Sequence, residues 1–283
     1  MLDIIKSYAT KNLCYISAQK MTPKGIVVHS TGANNPYLKR YVDCPEKVGV
    51  NKYGNHWNTA KPGGKQVCVH AFIGYDKDNN VRVAEILPLD ICCWGVGRGT
   101  KGSYNYNPAY IQFEICEDAL KDKIYYDKAF GVAAEYCAYL CEKYGIGTDK
   151  IVGHCEAHKQ GYGSNHADPE HWMKKHGETM DDFRYSVSKI LKGKCESAET
   201  EKKEASTGNQ QPQKSNKFPY LVKVTASSLN IRKGAGTNFA KAGCIKDKGV
   251  YTIVEEKDGA GASKWGRLKS GAGWISLDYA RKI

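Results

Sequence analysis

No run of about 20 apolar residues occurs in the 283-residue chain, so no segment is long and apolar enough for a membrane-spanning helix. Residues 1–20 lack the apolar stretch of a signal peptide. The expectation is a protein made in the cytoplasm without a Sec-type signal, reaching any outside target by release or export. No C-x-x-C pair is present, which excludes a cysteine zinc cluster or a thioredoxin-type redox site. The 11 cysteines are odd in number, and Cys68, Cys116, Cys137 and Cys141 sit in apolar runs. Reduced, buried thiols behaving as small hydrophobes are expected rather than a disulfide framework. Residues 192–216 (KGKCESAETEKKEASTGNQQPQKSN) contain no aromatic, Ile, Leu or Val. Such a stretch buries too little apolar surface to offset its ordering entropy and reads as a flexible linker.

What is present is globular and basic. Apolar residues make up 41% and charged residues 25%, as in ordinary soluble domains. The net charge is +12, unevenly spread: from Lys217 onward 13 Lys and Arg face 5 Asp and Glu, a net of +8. A basic chain suits an anionic partner. The basic residues of the tail are scattered, which argues against a nucleic-acid stripe.

The linker leaves a first domain, residues 1–191, in which strand-like and helix-like patterns alternate. Residues 25–30 (GIVVHS), 67–75 (VCVHAFIGY), 81–87 and 110–116 (YIQFEIC) read as strands. Residues 126–144 follow a 3.6 period, with Ala129, Val132, Ala133, Tyr136 and Leu140 on one face, Asp127 as cap and Gly145 as stop. Residues 151–153 form a short strand leading into a histidine-rich loop. Residues 180–191 close the domain as a helix capped by Thr179. The fold class is α/β, a mixed central sheet with packed helices. Residues 217–283 differ: short β-prone runs at 221–224, 229–232, 251–255, 265–268 and 273–275, punctuated by glycines, predict a small all-β barrel.

Five of the eight histidines fall in residues 154–176, beginning with GHCEAHKQGYGSNHADPEHW. A catalytic zinc needs three His or carboxylate ligands and an open position for water. His29 ends the apolar run VVH, where a strand can project it into a cleft. Glu114 stands inside the apolar run FEIC, where a carboxylate is costly unless paired, bonded or functional. Strand alternation puts Glu114 and Gln112 on one face, opposite Phe113 and Ile115. Glu117 and Asp118 read as solvated charges at a strand end.

The set VVHST, FEIC, VGHCE and NHADPEHW resembles the N-acetylmuramoyl-L-alanine amidases related to phage-lysozyme-type amidases and peptidoglycan recognition proteins, over residues 25–172. The resemblance implies a zinc ion held by His29, His154 and Asp168, with Glu114 as general base. It implies hydrolysis of the amide joining the lactyl group of N-acetylmuramic acid to L-alanine in bacterial peptidoglycan. The family often has a Lys two residues before the third ligand, helping to polarise the substrate carbonyl; this chain has His166. In the family's aromatic-His-Ala-Gly stretch Trp94 matches, but Gly95 replaces the His. His70 and Trp94 are candidate substrate contacts, and Trp57 a further cleft aromatic. In the tail, SLNIRKGAGTNF and WGRLKSGAGWI are similar to bacterial Src-homology-3-type domains, which implies wall binding. Amidase, linker and such a domain together resemble the layout of an endolysin or autolysin. A monomer is expected, with no organic cofactor, no nucleic acid and no membrane insertion.

Other readings stay open. His154 and His158 are four apart and on a helix could share a metal, but Glu156 has the wrong spacing for H-E-x-x-H, and Gly161 and Gly163 argue against a helix. His166 could replace Asp168 as ligand. His70 could face the core. Cys155 could be the nucleophile of a Cys/His wall peptidase. The chain could bind peptidoglycan without cutting it, or recycle soluble wall fragments, although soluble fragments need no anchoring module.

Overall fold

Short β-branched runs build the first sheet, and their alternation decides what each face does. The computed structural model describes residues 2–204 and 218–282. The chain separates into two compact units, Met1–Thr207 and Gly208–Ile283. In the first, strands β1 (Ile4–Lys6), β2 (Ile26–Ser30), β3 (Ala71–Tyr75), β4 (Val81–Glu85), β5 (Ile111–Ile115) and β6 (Ile151–Gly153) are joined by helices α1 (Leu13–Ser17), α2 (Pro45–Val48), α3 (Lys123–Tyr144), α4 (His154–Gln160), α5 (Glu170–Lys175) and α6 (Met180–Glu204). The sheet order is β1-β4-β3-β5-β2-β6, parallel everywhere except between β3 and β4. Mixed α/β architecture was expected.

One face of this sheet carries the main core. Ile26 and Val28 of β2 join Ile111, Phe113 and Ile115 of β5 against the apolar side of α3. Phe113 meets Tyr136 edge to face with centroids 5.5 Å apart. Each such buried side chain contributes about 1.5–3 kcal/mol. Asp122, not Asp127, caps α3: its Oδ1 accepts from Ile124 N at 2.9 Å and Tyr125 N at 3.0 Å. Asp127 lies one turn inside and pairs with Lys123. Gly145 ends α3 at φ 65°, a left-handed conformation that costs glycine little.

The opposite face holds the polar residues. Register pairs His29 with Glu114 and Val27 with Gln112, so these four share a side. Because β5, β2 and β6 are parallel neighbours, their carboxyl ends line up, the usual place for a site in such sheets.

The histidine-rich segment after β6 is a helix, α4, where a loop was expected. Gly161 lies past the helix end, as a left-handed C-cap at φ 88°. At the other end Glu156 Oε2 accepts from Gly153 N at 3.0 Å. Arg184 of α6 grips the same carboxylate at 2.8 and 3.0 Å. This fork fastens α4 to α6 and occupies Glu156.

The second unit is an antiparallel sheet of seven strands: β7 (Tyr220–Val224), β8 (Leu229–Arg232), β9 (Lys241–Ile245), β10 (Val250–Gly259), β11 (Ala262–Leu268), β12 (Trp274–Ser276) and β13 (Ala280–Lys282). The order is β13-β7-β10-β11-β12-β8-β9. Val222, Val224, Leu229, Ile245, Ile253, Leu268 and Ile275 form its core. Gly273, at φ 134°, lets β12 approach β8: a Cβ there would lie 2.3 Å from Arg232 O. The helix expected to stop at residue 191 runs on to Glu204, overlapping the start of the expected linker. The rest of that linker, residues 205–216, lies outside the described residues.

Candidate metal centre and active site

Three donor atoms converge at the carboxyl ends of β2 and β6. His29 comes from β2 and His154 is the first residue of α4. Asp168 comes from the segment before α5, tied to α4 by a bond from Cys155 N to Asp168 O at 3.1 Å. His29 Nδ1 lies 3.0 Å from His154 Nδ1 and 3.2 Å from Asp168 Oδ2. His154 Nδ1 lies 3.4 Å from Asp168 Oδ1. All three residues are buried.

The outward nitrogen of each imidazole is engaged elsewhere. His29 Nε2 faces Gln112 Oε1 at 3.2 Å, and His154 Nε2 faces Ser164 Oγ at 3.2 Å. With those nitrogens protonated, the two Nδ1 lone pairs and a carboxylate oxygen point at one another, which only a cation relieves. Tetrahedral zinc with bonds of about 2.0–2.1 Å sets its ligand atoms roughly 3.3 Å apart, close to the 3.0 Å between the two Nδ1 atoms and to the 3.2 and 3.4 Å at which they meet the two different oxygens of Asp168. The donor set therefore fits zinc. Among the described residues no other group of three or more His, Cys, Asp or Glu converges in this way.

Electrostatics agree with a cation-seeking site. Burial pushes the Asp168 carboxyl up, but the two imidazoles beside it outweigh this and hold its pKa well below the usual range. Burial lowers the His154 pKa, partly offset by Asp168.

Glu114 stands beside His29 in register, its other neighbour being Phe72 of β3. The residue is half-buried, yet its Oε2 is cut off from solvent and has no hydrogen-bond partner. Burial, then repulsion from Asp168 and Glu117, pushes its pKa well above the usual value. A carboxylate so placed gains by taking up a proton.

His166 lies at the exposed rim, its ring stacked on that of His154 with centroids 4.5 Å apart. Its Nδ1 is 3.6 Å from Asp168 Oδ1, too far for a hydrogen bond. Burial and the neighbouring His154 lower its pKa. Trp94 is half-buried, packed against a second apolar cluster that includes Cys68 and Phe72. Trp57 packs edge-on against Phe72 at 4.9 Å.

His70 is not available as a substrate contact. It has no exposed surface, its Nε2–H donates to Ile91 O at 2.9 Å and its Nδ1 accepts from Gln112 N at 3.0 Å. Burial drives its pKa down to about 4. It is a neutral bridge between β5 and the segment after β4. Glu117 and Asp118 also depart from expectation, since both are buried. Glu117 Oε1 accepts from Ser30 Oγ at 2.5 Å and faces His171 Nε2 at 3.0 Å. Asp118 accepts from three backbone N–H groups, those of Leu120, Lys121 and Asp122. His158 is exposed and faces Gly163 O at 3.2 Å, so it takes no part in the cluster despite sharing α4 with His154. Cys155 lies one residue from His154, half-buried, and no His in the cluster points its free nitrogen at the thiol.

Two residues that no motif singles out touch the site's scaffolding. Asn105 binds Gln112, and Ser164 binds His154. Each lies in a glycine- and asparagine-rich loop that reads as turn chemistry, so the sequence carries no signal for either.

Comparison with known proteins gives these residues a context. The N-acetylmuramoyl-L-alanine amidase family model matches residues 19–171, more than half of the chain and inclusive of every residue of the cluster. A bifunctional autolysin of Staphylococcus aureus (strain MSSA476) is 25% identical over 249 residues, 84% of this chain and 16% of the relative. The chain thus spans about a sixth of the length of the curated relatives it matches. Among solved structures, the Staphylococcus aureus hydrolase AmiA in complex with its ligand overlaps 67% of this chain and 83% of its own at 22% identity and a TM-score of 0.49. A mutant endolysin from Bacillus subtilis overlaps 66% and 99% at 20% identity and a TM-score of 0.45.

Proposed function

Because this chain belongs to the N-acetylmuramoyl-L-alanine amidase family, we propose that it cuts the amide between N-acetylmuramic acid and L-alanine in bacterial peptidoglycan, at a zinc ion held by His29, His154 and Asp168. The observation that carries this is the convergence of His29 Nδ1, His154 Nδ1 and the Asp168 carboxylate at 3.0–3.4 Å on one buried spot. Zinc, when bound, polarises the scissile carbonyl and makes water a stronger nucleophile near neutral pH.

The chain's own residues do the rest. Glu114 accepts the proton of the attacking water and returns a proton to the leaving amine of L-alanine. Its raised proton affinity suits a group that must hold that proton between the two steps. Asp168 stays ionised, its carboxyl held well below the usual range beside the two imidazoles. His166, at the open rim, is the residue placed to donate toward the carbonyl oxygen. Trp94 offers a half-buried ring for a substrate contact.

Residues 217–283, within the second unit, act as a wall-binding module of the bacterial Src-homology-3 type, their strands curled as a small barrel, joined through the segment 192–216. Their net charge of +8 favours a wall rich in phosphate and carboxylate. The enzyme then acts on the cell wall as an endolysin or autolysin does, with zinc as its only cofactor.

Digestion of purified walls tests this. Mass spectrometry should find new L-alanine amino termini and no new reducing sugar ends. New reducing ends would make it a glycosidase, and binding without release of either would make it a recognition protein.

A further inference from the structure

The two metal-facing histidines need the same tautomer, proton on Nε2 and lone pair on Nδ1. We propose that one residue of the main chain, Val96, dictates that choice for both, acting through Asn105 and Gln112 on one side and Ser164 on the other. This rests on the zinc reading above for its purpose, but not for its chemistry.

The first relay runs from the Val96 N–H. A backbone N–H can only donate, so the Asn105 atom 3.2 Å away must be its oxygen, Oδ1. The Asn105 Nδ2 then faces Gly97 O at 3.3 Å, a group that can only accept, so both ends of this amide are anchored. Asn105 Oδ1 in turn receives a second donor, Gln112 Nε2, at 2.9 Å. That turns Gln112 Oε1 toward His29 Nε2 at 3.2 Å. An amide oxygen accepts, so His29 must carry its proton on Nε2, and Nδ1 is left bare. Asn105 and Gln112 are both buried, which makes the wrong orientation costly at every link.

The second relay starts from the same residue's carbonyl. Val96 O can only accept, and Ser164 Oγ donates to it at 3.2 Å. Having spent its one proton there, Ser164 Oγ accepts from His154 Nε2 at 3.2 Å. His154 Nδ1 is bare in consequence. The Ser164 N–H also bonds Val96 O at 2.9 Å and holds the two segments together.

Gly95 makes room for this. A Cβ at that position would sit 2.6 Å from Gln112 Oε1 and 2.9 Å from Val69 Cγ1. A side chain there would displace the amide that faces His29. The absence of a histidine at residue 95 and the presence of the relay are thus two sides of one packing solution. Asn105, Gln112 and Ser164 are positioning residues, acting on the reaction only through the histidines.

The test uses the full chain and two readouts. In metal-free protein at about pH 9, well above the ordinary histidine pKa, 15N NMR of the ring nitrogens should show one tautomer for His29 and for His154, each protonated on Nε2. Asn105→Leu touches neither histidine, yet should give mixed tautomers at His29 alone. Asn105→Asp keeps an oxygen facing Val96 N and Gln112 Nε2 and should preserve the wild-type pattern. Ser164→Ala, at a half-buried position that tolerates truncation, should disturb His154 alone. Zinc affinity, measured by chelator competition, should fall about 10–100-fold in Asn105→Leu and Ser164→Ala, the span seen when such supporting partners are lost. Asn105→Asp should stay near wild type.

Unchanged tautomers and unchanged zinc affinity in Ser164→Ala, together with the same result in Asn105→Leu, would overturn the proposal. If Asn105→Leu does not fold, Ser164→Ala decides alone. Failure of the zinc reading looks different: the wild type itself would bind zinc weakly while the tautomer pattern still responded to the variants.

Discussion

Glu114→Gln separates catalysis from architecture because the proposed base role and the burial of this carboxyl predict opposite signs for the two. The amide keeps the size and shape of the side chain on β5 but cannot accept a proton. Loss of a general base costs about 10²–10⁴ in rate, equivalent to roughly 3–5 kcal/mol at 1.36 kcal/mol per decade. Stability should move the other way. In the metal-free chain Glu114 is pressed by burial and by Asp168 and Glu117, and its folded pKa is raised. A group with a raised folded pKa contributes fully below its unfolded pKa, and the contribution is lost as pH rises through the folded value. At neutral pH the wild type has therefore lost stability through this group, and the Gln variant, which does not titrate, has not. A gain of 1 kcal/mol moves Tm by about 2–4 °C in a domain of this size. The gap should close as pH falls toward about 4, where the carboxyl is neutral in both states. Calorimetry of metal-free protein across pH, zinc content by mass spectrometry and release of L-alanine termini from walls together decide it. Near-wild-type turnover with normal zinc would refute the base assignment. An inactive variant that is also less stable at neutral pH would make Glu114 a structural residue.

The other outcomes follow from the same geometry. His29→Ala and Asp168→Ala should each lose bound zinc, while His166→Ala keeps it, because His166 stands outside the convergent set; zinc retained by Asp168→Ala and lost by His166→Ala would reverse the ligand assignment. His70 is buried neutral with a folded pKa of about 4. Its stabilising contribution should be lost as pH falls from 6.5 toward 4, a decline of about 3 kcal/mol, and urea titrations of His70→Gln showing the same acid slope as wild type would contradict this. The isolated tail, residues 217–283, should bind purified walls less tightly as salt rises, given its +8 charge; binding that is indifferent to salt would remove charge as the driving force.

Much of the fold was legible because its main elements obey one period each. The run IQFEI alternates cleanly, and the face chosen for Phe113 and Ile115 is the one that packs on α3. The misreadings have local causes. α4 read as a loop because Gly161 and Gly163 lie close together, yet Gly161 only terminates the helix, and Glu156 with Arg184 secures its start. Asp127 looked like a cap because it precedes the strongest apolar stripe, but helix formation begins a turn earlier, where Asp122 satisfies two free N–H groups. β1 has three residues, Ile4–Lys6, too few for any period to show.

The site was legible to the extent that its chemistry demands rare residue types. Two distant segments supply His29 and the pair His154 and Asp168, and a carboxylate inside an apolar strand marks Glu114. What no pattern marks is the hydrogen-bond direction that leaves Nδ1 of His29 and His154 facing Asp168. Asn105, Gln112 and Ser164 are ordinary polar residues, and His70 resembles a cleft histidine as well as His29 does. The two histidines differ only in what their second nitrogen meets. For His70 both ring nitrogens end on backbone groups, one donating to Ile91 O and one accepting from Gln112 N, so nothing remains for chemistry. For His29 the outer nitrogen ends on an amide whose own orientation is set from Val96, and the inner nitrogen is left free. Gln112 serves both, its backbone N–H occupying one histidine and its side-chain oxygen freeing the other. A substitution that moved β5 by one residue would exchange Gln112 for a core residue and disarm both arrangements at once. The strand register of β5 is thus as much a determinant of the proposed metal site as the His-His-Asp cluster itself.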